Sequence, residues 1–164
     1  MDKTDQTHLV RDAQGADAPQ LSILWHQAWH DGHAGLVPAE LVAQRTLEEF
    51  RARTAEQLHS FRVTGSVGPP TGLCKVVDNK LDELFIERSA RGTGAAQALL
   101  ADAEAQVRAG GGNLMWLVCA IGNDRAGRVY EKAGWRRMGE VAIDLQTQAG
   151  PIPSRIWRYE KRLL

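Results

Sequence analysis

The fold class this sequence predicts is α/β: one mixed β-sheet with helices packed on both of its faces. Three observations predict it. Between Leu58 and Glu87 short apolar runs alternate with glycine- and proline-bearing turns, as in neighbouring antiparallel strands. From Leu81 to Ala120 a strand-like run, a long alanine- and leucine-rich run and a second apolar run follow one another. That order describes a strand–helix–strand unit with parallel strands and a right-handed crossover. Two more strand-like segments, Val141–Leu145 and Arg155–Tyr159, close the chain. A length of 164 residues suits a single domain spanning residues 1–164. A domain of that size buries about 68–70% of its unfolded surface, enough for a core without disulfides or a structural metal.

Taken in order, His8–Arg11 reads as a short first strand and Ala13–Pro19 as a turn entering a helix. Leu21, Leu24, Trp25, Ala28 and Trp29 recur at helical spacing and mark one apolar face. That helix should stop near Gly32–Gly35. Pro38, at home in a first turn, opens a second helix whose buried side is Leu41, Val42, Leu47 and Phe50. Phe61–Thr64, Gly72–Val77 and Leu81–Ile86 are strands, separated by the turns Gly65–Thr71 and Asp78–Asn79. Ala95–Ala109 is a strong helix, with Leu99, Ala103 and Val107 facing the sheet and Gly110–Gly112 stopping it. Leu114–Ala120, unbroken and apolar, reads as a strand buried on both faces. A shorter helix covers Asp124–Ala133 and ends at Gly134, and a turn holding Pro151 and Pro153 joins the last two strands. The expected order is β-α-α-β-β-β-α-β-α-β-β.

Composition excludes several functions. Lysine plus arginine and aspartate plus glutamate both total 20, so the formal charge is zero and the basic footprint of a nucleic-acid binder is missing. Cys74 and Cys119 each sit in an apolar run with no zinc or redox spacing, which fits a reducing cytoplasm. The polar start Met1–Asp5 has no signal-peptide core, and no apolar run is long enough for a membrane span. No membrane partner is expected. His26, His30 and His33 fall at i, i+4 and i+7, but no carboxylate–histidine zinc motif accompanies them and Gly32 interrupts the helix. No metal is expected.

The chemistry concentrates where the strand Leu81–Ile86 gives way to Arg91-Gly92-Thr93-Gly94-Ala95-Ala96 and a long helix. First-turn N–H groups have no intrahelical partner, and with the helix dipole they make an anion site that small residues allow a ligand to approach. A pyrophosphate is its natural guest. A phosphate loop of the nucleotide triphosphatases would need Gly-Lys-Ser/Thr, which is missing. A dinucleotide fingerprint would need Gly or Ala where Gln97 stands. The remaining glycine-loop reading is coenzyme A.

Here the sequence resembles the GCN5-related N-acetyltransferase superfamily. Its central signature, Gln/Arg-x-x-Gly-x-Gly/Ala, is matched by Arg91, Gly94 and Ala96. A second segment, Asn123-Asp-Arg-Ala126-Gly-Arg-Val-Tyr130-Glu-Lys-Ala-Gly134-Trp135, is similar to the family's Asn-x-x-Ala-x-x-x-Tyr-Glu-Lys-x-Gly-Phe, with tryptophan in the last place. The resemblance implies a single acetyltransferase domain that uses acetyl-CoA and releases coenzyme A. It implies cofactor contacts from Phe85, Ile86, Arg91, Gly92, Thr93, Gly94, Ala95, Ala96, Asn123 and Arg128, with Arg125 a further phosphate candidate. Strands Leu81–Ile86 and Leu114–Ala120 would splay around the pantetheine arm, and a main-chain N–H near Phe85 and Ile86 would polarise the acetyl carbonyl. Tyr130 would protonate the departing thiolate. Some family members place a basic glutamate where this chain has Val118, so the base is sought elsewhere. Other members use histidines on the strand before the glycine turn. On a regular strand Asp82 shares a face with Leu84 and Ile86 and holds a position used by such a base, while Glu83 and Glu87 point away. A water chain to bulk solvent would need no dedicated base. The connection between the first two helices lines the acceptor pocket in the family, which implicates Trp29, His30, Asp31 and His33. The expected acceptor is a small-molecule amine. A protein N-terminus or lysine, or acyl-CoA binding without catalysis, are the alternatives. Dimers are common in the family, so a homodimer belongs among the expectations.

Overall fold

The computed structural model describes residues 8–164; the polar start Met1–Asp5 lies outside them. The chain runs β1 (Arg11–Asp12), α1 (Ala18–His33), α2 (Ala39–Gln44), α3 (Leu47–Gln57), β2 (Arg62–Thr64), β3 (Gly72–Val77), β4 (Lys80–Ile86), α4 (Ala95–Ala109), β5 (Leu114–Cys119), α5 (Asp124–Lys132), β6 (Arg136–Thr147) and β7 (Gly150–Arg162). Seven strands form one mixed sheet in the order β1-β2-β3-β4-β5-β7-β6. Only β4 and β5 are parallel neighbours; every other pair is antiparallel.

Adjacent residues of a strand point to opposite faces, and β3 shows how this divides the core. Leu73 packs with Trp25, Phe50 and Phe61 beneath α1 and α3. Cys74 packs with Leu99, Leu100 and Met115 beneath α4. Trp25 is fully buried and meets Phe50 and Phe61 edge to face, both at 5.1 Å between ring centroids. The apolar stripe of α1 thus anchors one wall of the molecule to the sheet.

Several expectations are corrected. The helix opened by Pro38 is two helices, because the chain leaves helical geometry at Arg45 (φ −85°, ψ 64°) and restarts under Thr46. The Thr46 side chain accepts a hydrogen bond from Glu49 N at 3.2 Å, which satisfies an orphan donor of the new helix. Of the four residues read as buried there, Leu41 and Phe50 are, while Val42 and Leu47 are half-buried. The first strand begins at Arg11 rather than His8. In β5 burial alternates, with Met115, Leu117 and Cys119 inside and Leu114, Trp116 and Val118 half-buried. Trp116, read as core, lies between the cations of Lys80 and Arg158, 5.0 and 4.4 Å from its ring centre. Pro151 and Pro153 are in β7 itself, opposite Gln146 and Asp144. They are tolerated because β5 pairs with β7 only from Trp157 onward, so this half of β7 has an open edge that needs no donor.

Two irregularities shape the site. β4 and β5 pair only at Lys80 and Trp116, where Trp116 N donates to Asn79 O at 3.2 Å; beyond that point the strands part. The second is a bulge in β4. Lys75 of β3 faces Glu83, and the next pair is Val76 with Leu81, so Asp82 has no partner across the ladder.

Candidate active site

A cavity of about 730 Å³ fills the gap between the parting strands and reaches from the start of α4 to the inner side of α1 and the β6–β7 hairpin. Its cofactor end is built by the turn before α4. Gly92 and Gly94 both take positive φ, 76° and 97°, which glycine adopts without strain. A Cβ at Gly92 would meet nothing within 4 Å, whereas one at Gly94 would approach the His8 ring at 3.5 Å. No acidic residue stands in the first turn of α4, so its free N–H groups are not offset by carboxylates. Arg91 and Arg125 are neighbours at the same end, and Arg128 also lines the cavity. Desolvation and the neighbouring charge of Arg91 hold the Arg125 guanidinium below its ordinary pKa. Such crowding of cations is relieved by an anion. These residues fit a pyrophosphate group.

Most of the expected cofactor residues meet here. Phe85, Ile86, Arg91 and Gly92 line the cavity, as do Gly94, Ala96, Asn123 and Arg128. Thr93 and Ala95 do not. The Thr93 hydroxyl donates to Ala90 O at 2.5 Å and braces the turn, and Ala95 is buried under the helix start. Asn123 also caps α5, its Oδ1 accepting from Ala126 N at 3.3 Å. The ladder decides which backbone groups face the gap. Glu87 N donates to Thr71 O, and counting back by two makes Phe85 a hydrogen-bonded partner of Leu73. The N–H groups of Leu84 and Ile86 therefore turn away from β3, toward the gap.

Of the expected acceptor residues, Trp29 and His33 line the cavity; His30 and Asp31 do not. The rings of Trp29 and His33 stack at 4.5 Å, tilted by only 6°. His33 Nδ1–H donates to Trp29 O at 2.7 Å, since a carbonyl can only accept, and burial lowers the imidazole pKa. His33 is thus neutral near pH 7, with a lone pair on Nε2. His30 Nε2–H donates to Arg45 O at 2.7 Å and holds the α2–α3 junction. Among the described residues no His, Cys, Asp or Glu cluster is arranged to hold a metal. Asp31 accepts from Arg88 at 2.7 Å and from Arg91 at 3.0 Å, which ties the end of α1 to the cofactor turn. Burial pushes its carboxyl up, yet the two arginines win and hold it below the usual range.

At the middle of the cavity stand Asp82, Glu83 and Tyr130. The bulge breaks the two-residue period, so Leu81, not Asp82, shares the α4 face with Leu84 and Ile86. The common face expected for Asp82, Leu84 and Ile86 does not form. Asp82 lies between two ammonium groups, 3.3 Å from Lys80 and 3.5 Å from Lys75. Glu83 lacks such close neutralisation; its nearest cation is Arg53 at 3.9 Å. Burial, then repulsion from Asp82, push its carboxyl up to about 7. Burial also raises the Tyr130 phenol, with Cys119, Glu83 and Tyr159 adding to it, so the hydroxyl keeps its proton at neutral pH. Sequence reasoning set Glu83 aside because it points away from the face of Leu84 and Ile86; it does, yet it lines the cavity all the same. Arg45 drew no attention because it falls in a stretch read as one continuous helix.

A sheet that opens around a cavity running from a helix start with free N–H groups to a protonated phenol defines an acyltransferase architecture. The family model for the acetyltransferase (GNAT) domain matches residues 33–145, and the chain belongs to that family. No curated relative matches the sequence. Among solved structures, the GCN5-related N-acetyltransferase from Rhodopseudomonas palustris superposes with a TM-score of 0.71 at 17% identity, over 96% of each chain. The acetyltransferase yncA from Salmonella typhimurium, solved with its cofactor acetyl-CoA, gives 0.67 at 16% identity over 95% of this chain and 94% of that one. The ribosomal-protein-alanine N-acetyltransferase from Brucella melitensis gives 0.68 at 19% identity, over 94% and 99%. No helix among the described residues is long and apolar enough to cross a membrane.

Gly92 offers a clean test of the cofactor end. Gly92→Asp places a negative charge in open space, on a backbone that aspartate tolerates better than most residues. Calorimetry should show acetyl-CoA affinity reduced at least tenfold, about 1.4 kcal/mol, with the circular dichroism spectrum unchanged. Unchanged affinity would remove the pyrophosphate from this turn.

Proposed function

We propose that the protein moves the acetyl group of acetyl-CoA directly onto the primary amine of a small molecule. The observation that carries this reading is one continuous cavity, with an anion site at one end, aromatic and cationic walls at the other, and Glu83 and Tyr130 between. The small acceptor is supported by a bridge near the far end. Gln148 N of the β6–β7 turn donates to Gln44 Oε1 of α2 at 2.8 Å, joining the hairpin to the helical wall. That leaves less room for a protein tail than an open groove would.

Acetyl-CoA supplies an activated thioester carbonyl when bound. The protein's own groups do the rest. The start of α4 and Arg91 hold the pyrophosphate, which sets the reach of the arm into the gap. The Leu84 and Ile86 N–H groups face that gap and can stabilise negative charge developing on the carbonyl oxygen. Glu83, ionised above about pH 7, accepts a proton from the acceptor ammonium. The amine nitrogen then bonds to the carbonyl carbon and the carbon–sulfur bond breaks. Tyr130 gives its proton to the sulfur, the second proton of the amine leaves to restore the phenol through solvent, and Glu83 releases its proton to solvent. No covalent enzyme intermediate is required. Two carboxylates compete for the role of base. Glu83 suits it better than Asp82, whose charge is already met by Lys75 and Lys80.

Tyr130→Phe tests catalysis apart from binding. It keeps the ring packed near Tyr159 and Trp135, whose centroids lie 5.6 and 6.1 Å away. It removes only the donor. Turnover with a verified acceptor at saturation should fall about ten- to a hundredfold, while acetyl-CoA affinity changes by less than threefold. Full turnover under those conditions would leave Tyr130 as packing.

A further inference from the structure

We propose that the acceptor is an amine that also carries a carboxylate, an amino acid or a close analogue, and that the Arg45 guanidinium receives that carboxylate. This rests on the acetyl-transfer reading and deepens it.

Arg45 stands at the α2–α3 junction and lines the acceptor end of the cavity. It is held from three directions. His30 Nε2–H grips its carbonyl oxygen at 2.7 Å. Its Nη1 donates to Glu49 Oε1 at 2.7 Å. Its guanidinium carbon lies 5.9 Å from the centre of the Trp29 ring. A guanidinium has five donors, and among the described residues no second side chain accepts from this one. A pinned arginine with donors to spare is ready-made for a planar anion, because little freedom is lost on binding.

The charges nearby leave positive charge in excess. Glu49 serves two arginines, with Arg53 3.9 Å from the same oxygen. Arg53 also neighbours Glu83, which is only partly ionised near pH 7. The other cations on the cavity wall are placed elsewhere: Arg91 and Arg125 are neighbours at the cofactor end, Arg128 and Lys132 are exposed on α5, and Lys80 is matched to Asp82. Arg45 is therefore the cation that the acceptor side presents. Glu83 takes the ammonium end of the ligand, Arg45 the carboxylate end, and Trp29, Phe85 and Leu145 give the wall between them an apolar character. An amine without a carboxylate would fill this site while leaving the remaining donors of a partly buried guanidinium unpaired, which is unfavourable. The carboxylate takes no part in the bond changes. It orients the amine.

The test compares amino acids with their matched decarboxylated amines and carboxamides, by release of free thiol from acetyl-CoA. The wild type should favour the best amino acid over its decarboxylated amine by at least tenfold in kcat/KM. Arg45→Leu should bring that ratio close to one, chiefly through a higher KM for the amino acid. Arg45→Lys should retain part of it, since the charge remains and the fork is lost. A wild type that acetylates neutral amines as well as or better than amino acids overturns the proposal and leaves acetyl transfer standing. So does an Arg45→Leu variant that keeps the ratio, with Arg45→Gln as the second check if Arg45→Leu fails to fold. No thiol release with any amine overturns the acetyl-transfer reading itself, and this proposal with it.

Discussion

Glu83→Gln should lower turnover by about two to three orders of magnitude, within the range that general base catalysis contributes. The amide is nearly isosteric but cannot accept the proton of the acceptor ammonium. In the wild type the acidic limb of kcat/KM should bend near pH 7, because the base is ionised only above its raised pKa, and Glu83→Gln should lose that limb. Stability separates this loss from misfolding. The Glu83 carboxyl titrates near 7 in the fold against 4.5 unexposed to it, so the fold binds the extra proton in that window. Its favourable contribution is complete below 4.5 and is lost as pH rises through 7. Glu83→Gln should accordingly be no less stable than wild type at pH 8, while being far less active. A variant with normal turnover and an unaltered acidic limb would return the base role to Asp82 or to solvent.

The second large effect falls on folding. Asp17 is fully buried at the entry to α1 and accepts four hydrogen bonds: two from Arg11 at 2.8 and 2.9 Å, one from Gln14 N at 2.7 Å and one from Gly68 N at 2.9 Å. It thus fastens β1, α1 and the β2–β3 turn to one another. Removing the carboxylate strands a charge and two backbone donors. Asp17→Ala should cost about 3 kcal/mol, the low end for breaking a buried pair because Arg11 keeps some exposure to water. For a chain of this size that corresponds to a melting temperature lower by roughly 6–12 °C. The pH dependence has a definite sign. The bond from Arg11 leads in holding the Asp17 carboxyl at about 2, below 3.8, so its contribution is present above 3.8 and vanishes as pH falls through 2. Chemical denaturation from pH 7 down to 2 should show this acid loss in the wild type and a shallower one in Asp17→Ala. Equal curves would mean that Asp17 contributes little.

Much of this architecture was legible because local signals agreed with the tertiary fold. Ala95–Ala109 and Gly72–Val77 fall on the bounds expected of them, since glycines or a glycine–proline turn mark their ends. The cofactor turn was legible for the same reason: positive φ at Gly92 and Gly94 demands glycine. The break at Arg45 was also written in the chain, as Thr46-Leu-Glu-Glu49, a helix-cap spacing overshadowed by the apolar positions on either side. The bulge at Asp82 had no such mark. It arises from pairing β3 with β4 in three dimensions, and it takes Asp82 off the face of Leu84 and Ile86. Strand length in β6 and β7 was hidden too, because exposed polar residues and two prolines disguise a ladder that runs from Arg136–Glu160 to Thr147–Gly150. Asp31 was expected at the acceptor; the sequence distance of 57 and 60 residues to Arg88 and Arg91 concealed its ion pairs with the cofactor turn.

The most direct test of the central claim is thiol release from acetyl-CoA across a panel of small primary amines, amino acids included, with mass spectrometry of the products. One acetylated amine per thiol released is expected, with the rate severely reduced by Glu83→Gln and by Gly92→Asp. Tight acetyl-CoA binding with no amine acetylated at any pH between 6 and 9 would contradict the account and favour a protein acceptor or acyl-CoA binding without catalysis.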